Sequence, residues 1–107
     1  MRKLFLILFI LIITFSCKKH DTSNDIPCDP AISYSATVKP IFAKNCALSG
    51  CHDGNTFPSA ADYAVVHDAS AQIINVVSTG AMPKNASLSD SDKAAIICWI
   101  NNGSKNN

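Results

Sequence analysis

Two cysteines followed at once by a histidine lie near the middle of this 107-residue chain and constrain its fold more than any other feature. Four residues separate Cys46 from Cys51, and His52 follows directly. Thiols in such a pattern add across the vinyl groups of a porphyrin, and the adjacent imidazole becomes an axial ligand of the iron. The usual spacer has two residues, so the extra length must bulge outward, which Ser49 and Gly50 allow. The motif predicts one covalently bound haem c per chain.

A six-coordinate haem iron needs a second axial ligand on its other face. Met82 is the sole methionine after Met1 and lies between Gly80 and Pro83. Its thioether is a soft ligand that raises the reduction potential relative to two imidazoles. Two alternatives remain open: Met82 fills the core, as many methionines do, or His67 is the distal ligand instead.

The N-terminus has the order of an export signal. Arg2 and Lys3 precede an apolar run over residues 4–15. As a helix this run rises only about 18 Å, which is too short for a hydrocarbon core of about 30 Å. We therefore predict a signal peptide over residues 1–16 and, because the run ends in a sequence that resembles a bacterial lipobox, lipidation of Cys17. A secretory signal cut elsewhere and a true membrane span are the alternatives.

Removal of the signal peptide leaves seven basic and eight acidic side chains, a balance that offers no basic surface for nucleic acid. Residues 17–30 are polar and contain two prolines, which predicts a flexible tether. The folded domain is expected over residues 31–107. A domain this small usually needs a disulfide, a metal or a bound cofactor for stability, and a buried porphyrin would supply apolar mass that the chain lacks.

Apolar residues at helical spacing, together with capping residues, predict an all-α fold. The expected helices cover residues 37–45, 60–67, 69–77 and the segment from Ser89 to Gly103. The predicted N-caps are Thr37, Ser59, Ser89 and, for the third helix, Asp68 or Ser70. For the first helix, an irregular lead-in that begins at Ser35 is the alternative. The β-branched residues of 69–77 leave a strand as an alternative there.

Residues from about Tyr34 to Gly103 resemble a small class I cytochrome c. The features that carry the resemblance are Val38–Phe42 leading into Cys46, the Cys51–His52 pair, Gly80–Pro83, Leu88–Asp90 and Ile97–Ile100. The resemblance implies three to five short helices around one haem, with the first and last helices crossing. It also implies that Cys46 and Cys51 form the thioethers and that His52 and Met82 are the proximal and distal ligands.

A crossing of the terminal helices would bring Cys28 next to Cys98. We predict a disulfide between them, because an exported chain enters a compartment where disulfides persist. Two separate buried thiols are the alternative. Trp99 is expected in the core between the terminal helices, although its indole could instead lie at the haem edge or bond a propionate.

Two protein ligands leave the iron no open position for a substrate. The sequence therefore predicts an electron carrier rather than an enzyme. The lipid would hold it in a bacterial cell envelope, facing the periplasm or the cell surface, where redox partner proteins are its expected contacts. The alternatives are a non-redox binding lipoprotein with a Cys46–Cys51 disulfide, a haem gas sensor if Met82 leaves the iron, and a zinc site of Cys46, Cys51, His52 and His67.

Overall fold

The computed structural model describes residues 27–107. The predicted signal peptide, Cys17 and most of the predicted tether lie outside these residues. The described part is helical and contains no strand, in agreement with the predicted all-α class. Its elements are a π-turn at Tyr34–Val38 and the helices α1 (Lys39–Asn45), α2 (Tyr63–Asp68), α3 (Ser70–Ser78) and α4 (Asp90–Asn101). No helix in this part has both the length and the apolar character that a membrane crossing requires.

The first helical segment begins with an irregular turn at Tyr34, close to the alternative start at Ser35, and Thr37 does not cap it. The hydroxyl of Ser33 is the cap, since it accepts a hydrogen bond from the N–H of Ala36 at 3.2 Å. The N–H of Lys39 then reaches back five residues to the carbonyl of Tyr34. Pro40 explains the wider turn, because a proline ring crowds the carbonyl four residues before it in a regular α-helix.

Helix α2 begins three residues later than predicted, and the predicted cap Ser59 is wrong. The side chain of Asp62 accepts a hydrogen bond from the N–H of Ala64 at 2.9 Å and caps the helix. Ser59 bonds the N–H of Ala61 at 3.2 Å, which closes a turn before the helix. Two oxygen-bearing side chains compete for nearby N–H groups here, and the carboxylate marks the helix start.

Residues 70–78 form a helix, as predicted, and not the alternative strand. Neither predicted cap is correct, because the helix has no side-chain cap. The Ser70 hydroxyl instead donates backwards to the carbonyl of His67 at 2.6 Å. The preceding helix α2 ends only two residues earlier, so the Ser70 hydroxyl satisfies a carbonyl at the end of α2.

Both ends of α4 agree with the prediction. The hydroxyl of Ser89 accepts a hydrogen bond from the N–H of Asp92 at 3.1 Å, and Gly103 follows the helix with φ of +95°. The N–H of Ser104 bonds the carbonyl of Trp99 at 3.0 Å, which completes a Schellman motif. A left-handed residue is required at that point, and glycine adopts it without strain.

The core lies where α4 packs against the π-turn and α3. Trp99 is 1 % exposed, and its ring lies 5.2 Å from that of Tyr34 and 6.4 Å from that of Tyr63. Its indole N–H donates to the carbonyl of Lys105 at 2.8 Å. Trp99 is therefore a core residue, as expected, and its N–H is already used within the fold.

The two ends of the described chain are both fastened to this core. Cys28 and Cys98 lie at disulfide distance, as predicted, with a Cα–Cα separation of 5.3 Å. The side-chain amide of Asn102 donates to the carbonyl of Asp29 at 3.0 Å. At the other end, the Asn107 side chain accepts the N–H of Tyr34 at 2.9 Å. The segment before the π-turn is thus tied to α4.

We expect Tyr34→Phe to stabilise the domain by about 1 kcal/mol. The Tyr34 hydroxyl is buried without a hydrogen-bond partner among residues 27–107, and burial raises its pKa. Removing this hydroxyl removes a desolvation cost that nothing in the described residues offsets. Thermal unfolding followed by circular dichroism measures the change.

Tyr63→Phe is the matched control, because the Tyr63 hydroxyl donates to the carbonyl of Ser104 at 2.8 Å. We expect it to lose about 1 kcal/mol, the opposite sign. If both variants lost stability equally, the interpretation of the Tyr34 hydroxyl as unsatisfied would be wrong.

Candidate functional site

Helix α1 delivers the chain directly into the cysteine motif. The N–H of Cys46 bonds the carbonyl of Phe42 at 2.8 Å and ends the helix. The spacer then turns back, since the N–H of Cys51 bonds the carbonyl of Leu48 at 2.9 Å. The N–H of His52 finally reaches the carbonyl of Cys46 at 3.1 Å. The four-residue spacer therefore forms a closed loop that returns the second cysteine and the histidine to the end of α1.

The four residues predicted to hold a haem line one cavity of about 400 Å³. They are Cys46, Cys51, His52 and Met82. A neighbouring cavity of about 370 Å³ shares part of this wall. The shared residues are Cys46, His52, Phe57 and Met82. Residues that are far apart in the sequence thus meet at one place in the fold.

The two cavities differ in their walls. The 370 Å³ cavity is lined mainly by apolar side chains of α1, α2 and α3. Among them are Phe42, Val65, Val66, Ile73, Val76 and Val77. The wall of the 400 Å³ cavity is also mainly apolar, but it includes the polar side chains of Lys84 and Asn85. The combined site is therefore an apolar space with a few polar groups, as in many cofactor sites.

The imidazole of His52 is held from one side. Its Nδ1 lies 3.2 Å from the carbonyl oxygen of Pro58, so a proton on Nδ1 is donated to that oxygen. This tautomer leaves the lone pair of Nε2 free to bind a metal. The Phe57 ring packs beside the imidazole at a centroid distance of 5.6 Å. Neither Phe57 nor Pro58 was among the site residues predicted from the sequence.

Met82 is placed by a backbone contact with α3. Its N–H bonds the carbonyl of Val76 at 3.1 Å, and its half-buried side chain lines both cavities. His67, the alternative distal ligand, lines neither cavity. Its exposed ring lies beside Asp68, with Nδ1 at 3.3 Å from the carboxylate. The geometry therefore favours Met82 over His67 as the partner of His52.

The motif cysteines are free thiols in this structure and do not pair with each other. Cys46 is half-buried and Cys51 is exposed. Burial, followed by the nearby Cys51, raises the pKa of Cys46 to about 11. Residues 27–107 contain no cluster of three or more His, Cys, Asp or Glu side chains able to hold a metal ion. The zinc alternative therefore finds no preformed site in this part of the chain.

We predict that haem-free protein is alkylated at Cys51 well before Cys46. Iodoacetamide reacts with the thiolate. The half-buried Cys46 thiol is less accessible than the exposed Cys51, and its raised pKa lowers the fraction of Cys46 that is thiolate. Peptide mass spectrometry after short treatment at pH 8 measures the order. Urea-unfolded protein is the control, where both cysteines should react at similar rates. Equal rates in the folded protein would contradict the different burial of the two thiols.

Asp53 lines neither cavity, but it bonds the chain on both sides of His52, and the sequence analysis did not single it out. Its Oδ2 accepts the N–H of Gly50 at 3.1 Å. Its Oδ1 accepts the N–H of Asn55 at 2.9 Å and that of Thr56 at 3.4 Å. The hydrogen bonds from Asn55 and Gly50 lower the pKa of this carboxyl to about 2. An Asp followed by Gly and Asn is a turn signal, and that signal could have identified the residue.

Comparisons with protein-family models, with curated proteins and with solved structures found no match for this chain. The function must therefore be argued from the site.

Proposed function

We propose that this chain is a membrane-anchored c-type cytochrome that carries single electrons between redox partner proteins. The observation that carries the proposal is that Cys46, Cys51, His52 and Met82 line one cavity. Two thiols, an imidazole and a thioether are the donor set of a covalently attached, six-coordinate haem. The all-α chain would then have a cytochrome c-like fold around that haem.

The residues present fit such a group. The two adjoining cavities, of about 370 and 400 Å³, lie within the roughly 300–1,000 Å³ range of cofactor sites. Apolar side chains of α1, α2 and α3 would pack against the porphyrin ring. Lys84 and Asn85, which also line the 400 Å³ cavity, would be available to its carboxylates. When bound, the haem would supply one-electron exchange at its iron.

The protein's own residues would set the conditions for this exchange. His52 and Met82 would be the two protein ligands of the iron, which would leave no coordination site for a substrate. The Pro58 carbonyl would fix the orientation of the imidazole through Nδ1. The thioether ligand and the apolar walls both favour the reduced state, so we expect a positive reduction potential. A lipid on Cys17 would hold the domain in a bacterial cell envelope.

The test is to produce the full chain in a host with a cytochrome c maturation system. We expect the mass of one haem in addition to the polypeptide, haem that acid-acetone does not extract, and a sharp low-spin spectrum after reduction. A chain of unmodified mass from that host would overturn the proposal and favour a non-redox binding lipoprotein. A strongly negative midpoint potential would contradict ligation by Met82.

Met82→Ala should open the distal side of the iron. We expect the reduced variant to bind carbon monoxide readily and its midpoint potential to fall, while the parent protein binds carbon monoxide poorly. His67→Ala is the matched control and should behave as the parent, because His67 lines neither cavity. Difference spectra with carbon monoxide measure the binding by each variant, and a redox titration measures each midpoint potential. Ready binding by the parent would instead favour a haem gas sensor.

A further inference from the structure

We propose that the Asp53 carboxylate positions the four-residue spacer so that both cysteines can be joined to one porphyrin. The inference rests on the proposed function. It concerns the two extra residues of the motif, which any covalent attachment here must accommodate.

Backbone hydrogen bonds fix both ends of the spacer loop: the N–H of Ala47 bonds the carbonyl of Phe42 at 2.9 Å, and the N–H of His52 bonds that of Cys46 at 3.1 Å. Within the loop, the N–H of Cys51 bonds the carbonyl of Leu48 at 2.9 Å. A side chain supplies the remaining bond, from the N–H of Gly50 to Oδ2 of Asp53 at 3.1 Å. Gly50 has φ of +76°, a left-handed conformation that fits no other residue as well as glycine. The carboxylate therefore secures the residue at which the loop reverses.

The same carboxylate also holds the segment on the other side of the histidine. Its Oδ1 accepts the N–H groups of Asn55 and Thr56, which lead directly to Phe57 and Pro58. Phe57 packs beside the His52 ring, and the Pro58 carbonyl holds its Nδ1. Asp53 thus joins the loop that carries Cys51 to the segment that orients His52.

The chemistry explains why this position matters. In each attachment the S–H of a cysteine adds across a vinyl C=C bond. The sulfur forms a bond to one vinyl carbon, the hydrogen goes to the other, and the double bond becomes single, so no oxidant or reductant is consumed. Both vinyl groups are fixed on one rigid ring. A loosened spacer should therefore leave Cys46, at the end of α1, able to react while Cys51 misses its vinyl group.

The experiment compares Asp53→Ala and Asp53→Asn with Asp62→Ala in the same maturation-competent host. Asp62 is a matched control, because its side chain also accepts a backbone N–H, at 2.9 Å, but that N–H belongs to Ala64 at the start of α2 and not to the spacer or to the loop after His52. Peptide mass spectrometry counts the thioethers at each cysteine. The spectrum of the reduced haem in alkaline pyridine reports any vinyl group that remains.

We expect Asp53→Ala to have about three- to tenfold less protein with both thioethers, and to accumulate haem joined through Cys46 alone. Asp53→Asn should lie between Ala and the parent, because its amide keeps one oxygen acceptor. Asp62→Ala should attach haem through both cysteines as the parent does.

Doubly attached haem at parental levels in both Asp53 variants would overturn the inference while leaving the proposed function intact. An equal loss in Asp62→Ala would also overturn it, since the effect would then be general destabilisation. If the parent itself acquires no haem, the proposed function and this inference fail together.

Discussion

Replacing both Cys46 and Cys51 with serine is expected to abolish the covalent haem attachment that we propose. A thioether would join each cysteine to a vinyl group, and a hydroxyl does not form one, so the polypeptide should have its unmodified mass. His52 and Met82 remain, and the double variant should therefore still bind haem that acid-acetone removes. Intact mass spectrometry together with acid-acetone extraction measures both expectations.

Cys46→Ser alone and Cys51→Ser alone should each form one thioether, so that one vinyl group of the haem stays unreacted. Cys28→Ser/Cys98→Ser is the matched control, since it also removes two cysteines but leaves the motif unchanged. It should keep haem that cannot be extracted. Haem that resists extraction in Cys46→Ser/Cys51→Ser would show that these two sulfurs are not the attachment points.

The loss of the Cys28–Cys98 disulfide should have the largest effect on stability. The two cysteines are 70 positions apart, and closing a loop of that length restricts the unfolded chain. In the chain-entropy model the bond contributes roughly 4 kcal/mol. Since ΔG of unfolding is about 5–15 kcal/mol for most domains, Cys28→Ser/Cys98→Ser should lose much of its stability. Its Tm should fall by roughly 15–30 °C.

Thermal unfolding by circular dichroism, with and without a reductant, measures this contribution. Reductant should lower the Tm of the parent protein but leave that of Cys28→Ser/Cys98→Ser unchanged. Both proteins should be compared with the same haem content, because a bound ligand also raises Tm. An equal Tm for the parent and for Cys28→Ser/Cys98→Ser would contradict the claim that the disulfide restricts the unfolded chain.

Sequence reasoning located the helices better than it located their starts. Helix α4 was predicted at both ends, because Ser89 and Gly103 act through hydrogen bonds within a few residues. The first helical segment and α2 were misplaced at their N-termini. Pro40 is accommodated by a π-turn that begins at Tyr34, and Asp62 rather than Ser59 caps α2. Where several capping side chains are close together, the surrounding chain decides which one is used.

The candidate site was predicted as a set of residue types, and the structure supplied their surroundings. A thiol, an imidazole or a thioether can be identified from the sequence because its chemistry belongs to one side chain. The parts that orient these groups were missed, namely the Pro58 carbonyl and the Asp53 carboxylate. A backbone carbonyl has no sequence signature, and an Asp in a polar loop resembles any other turn residue.

The sequence by itself determined the helical character of the domain, both ends of α4 and the set of side chains that we propose would hold a haem, since these depend on local patterns and on individual functional groups. Only the tertiary structure decided that Met82, and not His67, shares a cavity with His52. It also placed Cys28 beside Cys98 and used the Trp99 N–H within the core. The cavity and the disulfide each bring together residues that are distant in the sequence. The packing of α4 against the π-turn and α3 determines which of these residues meet.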